Sequence, residues 1–246
     1  MTSFQGLART VDQRYFFEEK KGGFYLEAGA ADGHAQTSPT WLFESQHEWS
    51  GLLVEPVPPL FRDLLSRNRS SWAVNTCLST ITRPQIVSFS MFGDKEGQTQ
   101  GGILGETEEA VGVTRMQCLP LYSLLLALGN PTVDLLSLDI EGAEYQVLAT
   151  LPWDKVDIRA LAVETQFAGD VLGGSRADII SLLTGAGYFH LSSLVRDDIF
   201  VRLPAGGRSP SLSWRQLAER PPGRNCEYTW GPREQLAKHC PLHFPR

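Results

Sequence analysis

The chain has 246 residues, 42% of them hydrophobic and 20% charged, which is ordinary globular usage and excludes a disordered or fibrous class. That length suits one large α/β domain with a substantial core. The formal net charge of −6 excludes a general nucleic-acid binder, because neutralising phosphates takes an excess of Lys and Arg on one face.

The N-terminal stretch "MTSFQGLARTVDQRYFFEEK" has no basic start followed by an apolar core. No later run approaches the roughly 18 apolar residues of a membrane span. A soluble protein is expected, cytoplasmic by default, with secretory-pathway association if a longer form carries an upstream anchor. Leu7, Val11 and Phe17 recur at near-helical spacing and predict a helix that Gly22 and Gly23 stop.

"FYLEAGA" then reads as a buried strand. Ser38 before Pro39 predicts an N-cap and first helical position, so a helix follows in "SPTWLFESQH". "SGLLVEP" is a second strand. "PPLFRDLLSRN" is a helix with Phe61, Leu64 and Leu65 on one face, and "WAVNTCLS" is a third strand. This β-α-β-α-β run predicts a parallel sheet with right-handed crossovers. From "VSFSMFG" to "GETEEAVGVT" the expectation is a strand, a mobile glycine-rich surface connection or lid, and a return toward Gln117. "LPLYSLLLALG" predicts a helix closed by Gly129, "VDLLSLDI" a fourth strand, "AEYQVLATL" a helix and "IRALAVETQ" a fifth strand. "SRADIISLLTGAGY" supplies a further helix, and "FHLSSLV" with "DDIFVRLP" an antiparallel pair joined near Arg196 and Asp197.

The domain is expected to span residues 1–203, followed by a Gly/Pro/Arg-rich tail over 204–246 with one short helix at "SLSWRQLAER". The tail carries seven basic residues against three acids, a net +4, leaving −10 on the body. It suits contact with the acidic body or with an anionic partner. The four cysteines form no CxxC or Cys/His ladder, which speaks against structural zinc. Cys77 and Cys118 read as small core residues, while Cys226 and Cys240 would pair in an oxidising compartment.

In an open parallel sheet, ligands bind beyond the carboxyl ends of the strands, where the strand order reverses. "EAGAADG" stands at such an end. Its glycines, Gly29 and Gly33, are spaced G-x-x-x-G rather than G-x-G-x-x-G, with Glu27 before them and Asp32 between. Carboxylates here would repel a pyrophosphate, which disfavours a nicotinamide oxidoreductase. They suit a ligand with a cationic end such as S-adenosylmethionine, which carries an ammonium and a sulfonium. Glu55 closes the second strand 22 residues after Gly33, where an acid receives hydrogen bonds from both ribose hydroxyls. The alternative is a surface carboxylate before a proline turn.

Together "FYLEAGAADG", "SPTWLFE", "WSGLLVEP", "VDLLSLDIEGAEYQVL" and "LAVET" resemble the FkbM-type methyltransferase family, including its animal branch related to the protein Star. The resemblance runs from about Phe24 to Glu164 and more weakly to Leu203. It implies an α/β, Rossmann-like class I methyltransferase sandwich, mostly parallel with an antiparallel last strand. It further implies bound S-adenosyl-L-methionine and methyl transfer, usually to oxygen, on a small-molecule or glycan-like acceptor. The cofactor contacts implied are Glu27, Gly29, Ala30, Asp32, Gly33, Glu55, Asn75 and Asp139. The position after "DG" is commonly acidic in the family and is His34 here.

Asp139, ending the fourth strand, is the first choice for general base or acceptor contact, against the alternative of capping the next helix. His34 is a second catalytic candidate, against an exposed loop histidine. Asn75 suits the adenine edge or a turn cap. Asp139, Glu141 and Glu164 form a minority metal set for Mg²⁺ or Ca²⁺, which prefer oxygen ligands; otherwise no metal is expected. Glu144 serves the helix start, and His190 is structural. The competing function is a catalytically inactive binding or trafficking module of the Star type.

Overall fold

The computed structural model describes residues 20–93, 99–104, 113–170, 172–194 and 196–202, which fall within one compact unit, Met1–Ala205. The expected first helix and the whole tail, with Cys226 and Cys240, lie outside the described residues. No helix among the described residues is long and apolar enough to cross a membrane.

The main sheet is built from β1 (Phe24–Ala28), β2 (Ser50–Val54), β3 (Trp72–Val74), β8 (Val133–Leu138), β9 (Ile158–Glu164), β10 (Tyr188–Leu194) and β11 (Asp197–Arg202). Their order is β10-β11-β9-β8-β1-β2-β3. Strand β1 pairs in parallel with both β2 and β8, and β2–β3 and β8–β9 are also parallel. The last strand, β11, runs antiparallel between β9 and β10. This is the expected Rossmann-like arrangement, mostly parallel with an antiparallel last strand. Every residue of β8 is buried, as a continuous apolar run in a doubly covered parallel sheet requires.

Helices α1 (Trp41–His47), α2 (Pro58–Ser66), α3 (Leu121–Ala127), α4 (Glu144–Ala149) and α5 (Arg176–Gly185) link the strands. Leu121, Leu125, Val147, Leu148, Ile179 and Leu183 join Leu26, Leu136 and Leu161 in the principal core. Helix α5 begins with a capping box in which Ser175 and Asp178 serve each other's backbone. The start of α1 differs from expectation. Thr40 is its N-cap and makes no side-chain cap bond, and the Ser38 and Thr40 hydroxyls both donate to Glu27 instead. A buried carboxylate is the stronger acceptor and takes the hydroxyls from the helix end. On α2, Leu64 is buried but Leu65 is 58% exposed, so the apolar face is narrower than the three residues suggested.

The third expected strand is divided. Its first part is β3; its second is β4 (Cys77–Leu78), which pairs with β7 (Val113–Leu119) in a second sheet of order β4-β7-β5-β6, where β5 is Gln85–Gly93 and β6 is Thr99–Ile103. Asn75 and Thr76 make the transfer: the Asn75 amide donates to the Glu55 and Pro56 carbonyls at 2.8 and 2.9 Å, and the Thr76 hydroxyl donates to the Gln117 carbonyl at 2.8 Å.

The glycine-rich connection therefore contains a paired strand. Gly101 is required in β6 because a Cβ there would stand 2.4 Å from the Phe89 ring. Cys77 and Cys118 are indeed buried, yet they are bonded to each other as a disulfide. They are register partners across β4 and β7. A separation of 41 residues conceals that register from any local pattern.

Candidate functional site

The three central strands are tied together where they end. The Gly29 and Ala30 N–H groups both donate to the Val54 carbonyl, at 3.0 and 3.1 Å, and the Asp139 N–H donates to the Ala28 carbonyl at 3.1 Å. Gly29 has φ +85°, and a Cβ on it would stand 1.8 Å from the Asp139 carbonyl oxygen. Gly33 has φ +66°, and its Cβ would meet Leu64 at 2.2 Å. Gly29 is thus required by the approach of neighbouring backbone, whereas at Gly33 the left-handed backbone is what favours glycine, since the Leu64 side chain can shift. Ala30 is fully buried between them.

Glu27 lies 1% exposed at the tip of β1. Its Oε2 accepts the Ser38 hydroxyl at 2.7 Å and the Thr40 hydroxyl, while its Oε1 is buried with no hydrogen-bond partner among the described residues. Burial lifts its pKa to about 7, although the Arg69 charge and the two hydroxyls oppose the shift. Arg69, which no sequence motif marked, is the hub of this side. Its guanidinium donates to Glu44 at 2.9 Å, the Gly33 carbonyl at 3.1 Å, Ser38 at 3.1 Å, Thr40 at 3.1 Å and the Tyr25 hydroxyl at 3.0 Å.

Glu55, at the tip of β2, accepts the Ala31 and Val57 N–H groups, one on each oxygen, both at 2.7 Å. A carboxylate oxygen keeps a further lone pair for another donor. Burial raises its pKa to about 7 against those two bonds, and the negative charges of Glu27 and Asp139 push the same way as burial. Glu55 therefore feels the acids of the two neighbouring strand tips across one mouth.

Asp32 is turned elsewhere. It is paired with Arg67 and accepts Thr37 Oγ1 at 2.6 Å and the His34 N–H at 3.2 Å. Its burial is outweighed by these bonds, which hold the carboxyl below its ordinary range. The His34 ring Nδ1 accepts the Gln36 N–H at 3.2 Å. None of its hydrogen bonds among the described residues reaches Glu27, Glu55 or Asp139. Asn75 caps the turn after β2 beside Glu55 through its amide nitrogen.

The second half of the mouth is acidic. Asp139, Glu141 and Glu164 each present an oxygen within 4.8 Å of the others. Burial and the negative charge of Asp139 raise the Glu164 pKa well above the ordinary carboxyl range, against the opposing charge of Arg196. Glu141 sits in left-handed backbone at φ +57°, and burial, then the Asp139 charge, raises its pKa.

Arg196, marked in the sequence only as the joint of the last two strands, pairs with Glu164 and lies 5.4 Å from the Phe167 ring centroid. Asp139 does not cap α4. The N-cap is Ala143, and Glu144 serves the preceding loop by accepting the Ile140 N–H at 2.9 Å and the Gly142 N–H at 3.1 Å. His190 is structural: with Arg176, Ser193 and Thr165 it binds Asp198 at 2.6 to 2.9 Å.

The profile described as the Methyltransferase FkbM domain matches residues 27–189, well over half of the chain. No curated protein matches the chain. Among solved structures, it is similar to a TehB-like SAM-dependent methyltransferase from Corynebacterium glutamicum, at 14% identity and TM-score 0.42, over 80% of this chain and 88% of that one. It is also similar to Aeropyrum pernix fibrillarin, solved with natively bound S-adenosyl-L-methionine, at 16% identity and TM-score 0.38, over 74% of this chain and 66% of that one.

Proposed function

Because the chain belongs to the methyltransferase FkbM family, we propose that it moves a methyl group from S-adenosylmethionine to the hydroxyl oxygen of a small-molecule or glycan-like acceptor. The observation carrying this reading is the convergence of Glu27, Glu55 and Asp139 at the tips of three adjacent parallel strands, close enough for Glu27 and Asp139 to perturb Glu55. This donor set fits the cofactor's chemistry, since an anionic mouth favours a ligand with ammonium and sulfonium charges. The unpartnered Oε1 of Glu27 leaves an acceptor to be satisfied.

When bound, the cofactor supplies an electrophilic methyl on a good leaving group, so most of the acceleration comes from alignment of the acceptor oxygen. Glu55, held by two backbone N–H groups, is fixed to receive ribose hydroxyls. With the cofactor held there, Asp139 would take the proton that the acceptor hydroxyl gives up as its oxygen receives the methyl group from sulfur. Replacing Asp139 with Asn removes the base but keeps the shape, so turnover should fall by about 10²–10⁴, with a smaller loss of cofactor affinity from the missing charge.

Calorimetric titration of the full chain with S-adenosylmethionine, S-adenosylhomocysteine and NAD, followed by labelled-methyl transfer to a panel of hydroxyl acceptors, tests the reading. Binding of NAD in place of the two adenosyl ligands would sink it. Cofactor binding with no transfer to any acceptor would instead support a non-catalytic binding module.

A further inference from the structure

Glu55 is braced by a turn that has a single backbone donor to offer. Residues 56–59 are Pro56, Val57, Pro58 and Pro59, and proline has no backbone N–H. The Val57 N–H, which reaches Glu55 Oε1 at 2.7 Å, therefore has no substitute in that stretch, and where Val57 stands decides where the oxygen is held. Its side chain is buried in a small core, apart from the principal one, with Phe89 and the disulfide-bonded Cys77 and Cys118.

A second connection leads from the same disulfide to the same turn. The chain that carries Cys77 passes from β3, at the edge of the main sheet, to β4, at the edge of the second. Between them Asn75 donates to the Glu55 and Pro56 carbonyls, and Thr76 donates to the carbonyl of Gln117, the residue before Cys118. Strand β4 has only two residues. So short an edge strand has little hold of its own, and the covalent bond between the register partners Cys77 and Cys118 supplies it.

We propose that the Cys77–Cys118 disulfide is a positioning element of the cofactor site, holding Glu55 through Val57 and Asn75, so that affinity for an adenosyl ligand follows the oxidation state of the pair. Reduction by a thiol or phosphine takes up two electrons and two protons, breaks the S–S bond and leaves two thiols. Their sulfurs withdraw from bonding distance to van der Waals contact. Cys77 and Cys118 are 4% and 0% exposed, and a packed interior has no spare room. The sulfurs can part only by displacing Val57 and Phe89 or by lifting β4 from β7. Either motion shifts the Val57 N–H or the Asn75 amide, and with it the carboxylate. This inference rests on the reading that Glu55 receives the ribose hydroxyls.

The test is calorimetric titration of the full chain with S-adenosylmethionine, with the bond intact and after treatment with a phosphine, the thiols being counted by alkylation and mass spectrometry. Reduction should weaken binding by about three- to tenfold, the worth of one ill-placed hydrogen bond. C77A/C118A should do the same, and it serves if the buried bond resists the reductant. A lower unfolding temperature would accompany either change whatever the bond does for Glu55, so each comparison is repeated in E55A. There, loss of the bond should cost less than about twofold, the non-additivity expected of coupled residues. V57A keeps the carboxylate, the N–H and the disulfide; it should weaken binding by a similar factor and remains informative if the cysteine variant fails to fold.

Affinity that ignores both loss of the bond and V57A, or a loss as large in E55A as in the unmodified chain, would overturn the inference and leave the methyl-transfer reading standing. Absence of adenosyl binding by the oxidised, unmodified chain would remove that reading and this inference with it.

Discussion

Gly29 and Glu55, at the ends of neighbouring strands, are constrained in different ways. At Gly29 the Asp139 carbonyl would lie 1.8 Å from any Cβ, and the backbone is at φ +85°. Gly29→Ala is therefore expected to destabilise the fold by about 2–5 kcal/mol in urea titration, combining overpacking with a strained backbone. At Glu55 the carboxylate is buried and braced by Ala31 and Val57, and its remaining lone pairs are what a ribose would use. Glu55→Ala should weaken S-adenosylmethionine binding by about 1–3 kcal/mol in calorimetry. Unchanged affinity would place the adenosyl group elsewhere. The glycine spacing was legible as a turn, but its cause was not, because the obstructing atom belongs to a strand more than a hundred residues away.

Among elements, the second sheet has the clearest consequence. Its core is Val57, Phe89 and the bonded pair Cys77 and Cys118, so the disulfide replaces part of what a larger apolar interior would supply. Cys77→Ala with Cys118→Ala, or a reductant, should cost about 2–4 kcal/mol. Thermal unfolding with and without reductant, with peptide mapping of the cross-link, checks this. Disulfides persist where thiols are oxidised, which sets this pair against a cytoplasmic expectation. The strands of this sheet were only partly readable. β5 and β7 alternate well enough to be seen, whereas β6 contains Gly101 and Gly102 and resembles a loop until the Phe89 ring above it is known.

For the molecule as a whole, the buried acids dictate how stability responds to pH. Burial raises Glu27, Glu55 and Glu144 to about 7 each, from ordinary values of 4.5. Between those values the native state holds protons that the unfolded chain releases. Their contribution is therefore complete below about 4.5 and is lost as pH rises through about 7. The unfolding temperature should be higher at pH 5.5 than at pH 8, and Glu27→Gln should flatten the difference; a higher value at pH 8 would contradict the burial. Cofactor affinity should move oppositely, since ionised Glu55 is the better partner for ribose hydroxyls.

What the residues determined by themselves was the layered α/β plan. Apolar runs such as Val133–Leu138, punctuated by Gly and Pro and separated by helical spacing, act through near neighbours and have few ways to fold. They also placed acids at strand ends. Only tertiary structure decided which acids meet, that Arg69 and Arg196 attend them, and that Cys77 joins Cys118. Each of those pairings depends on strand register between distant segments, and register is fixed by packing in three dimensions rather than by any local spacing.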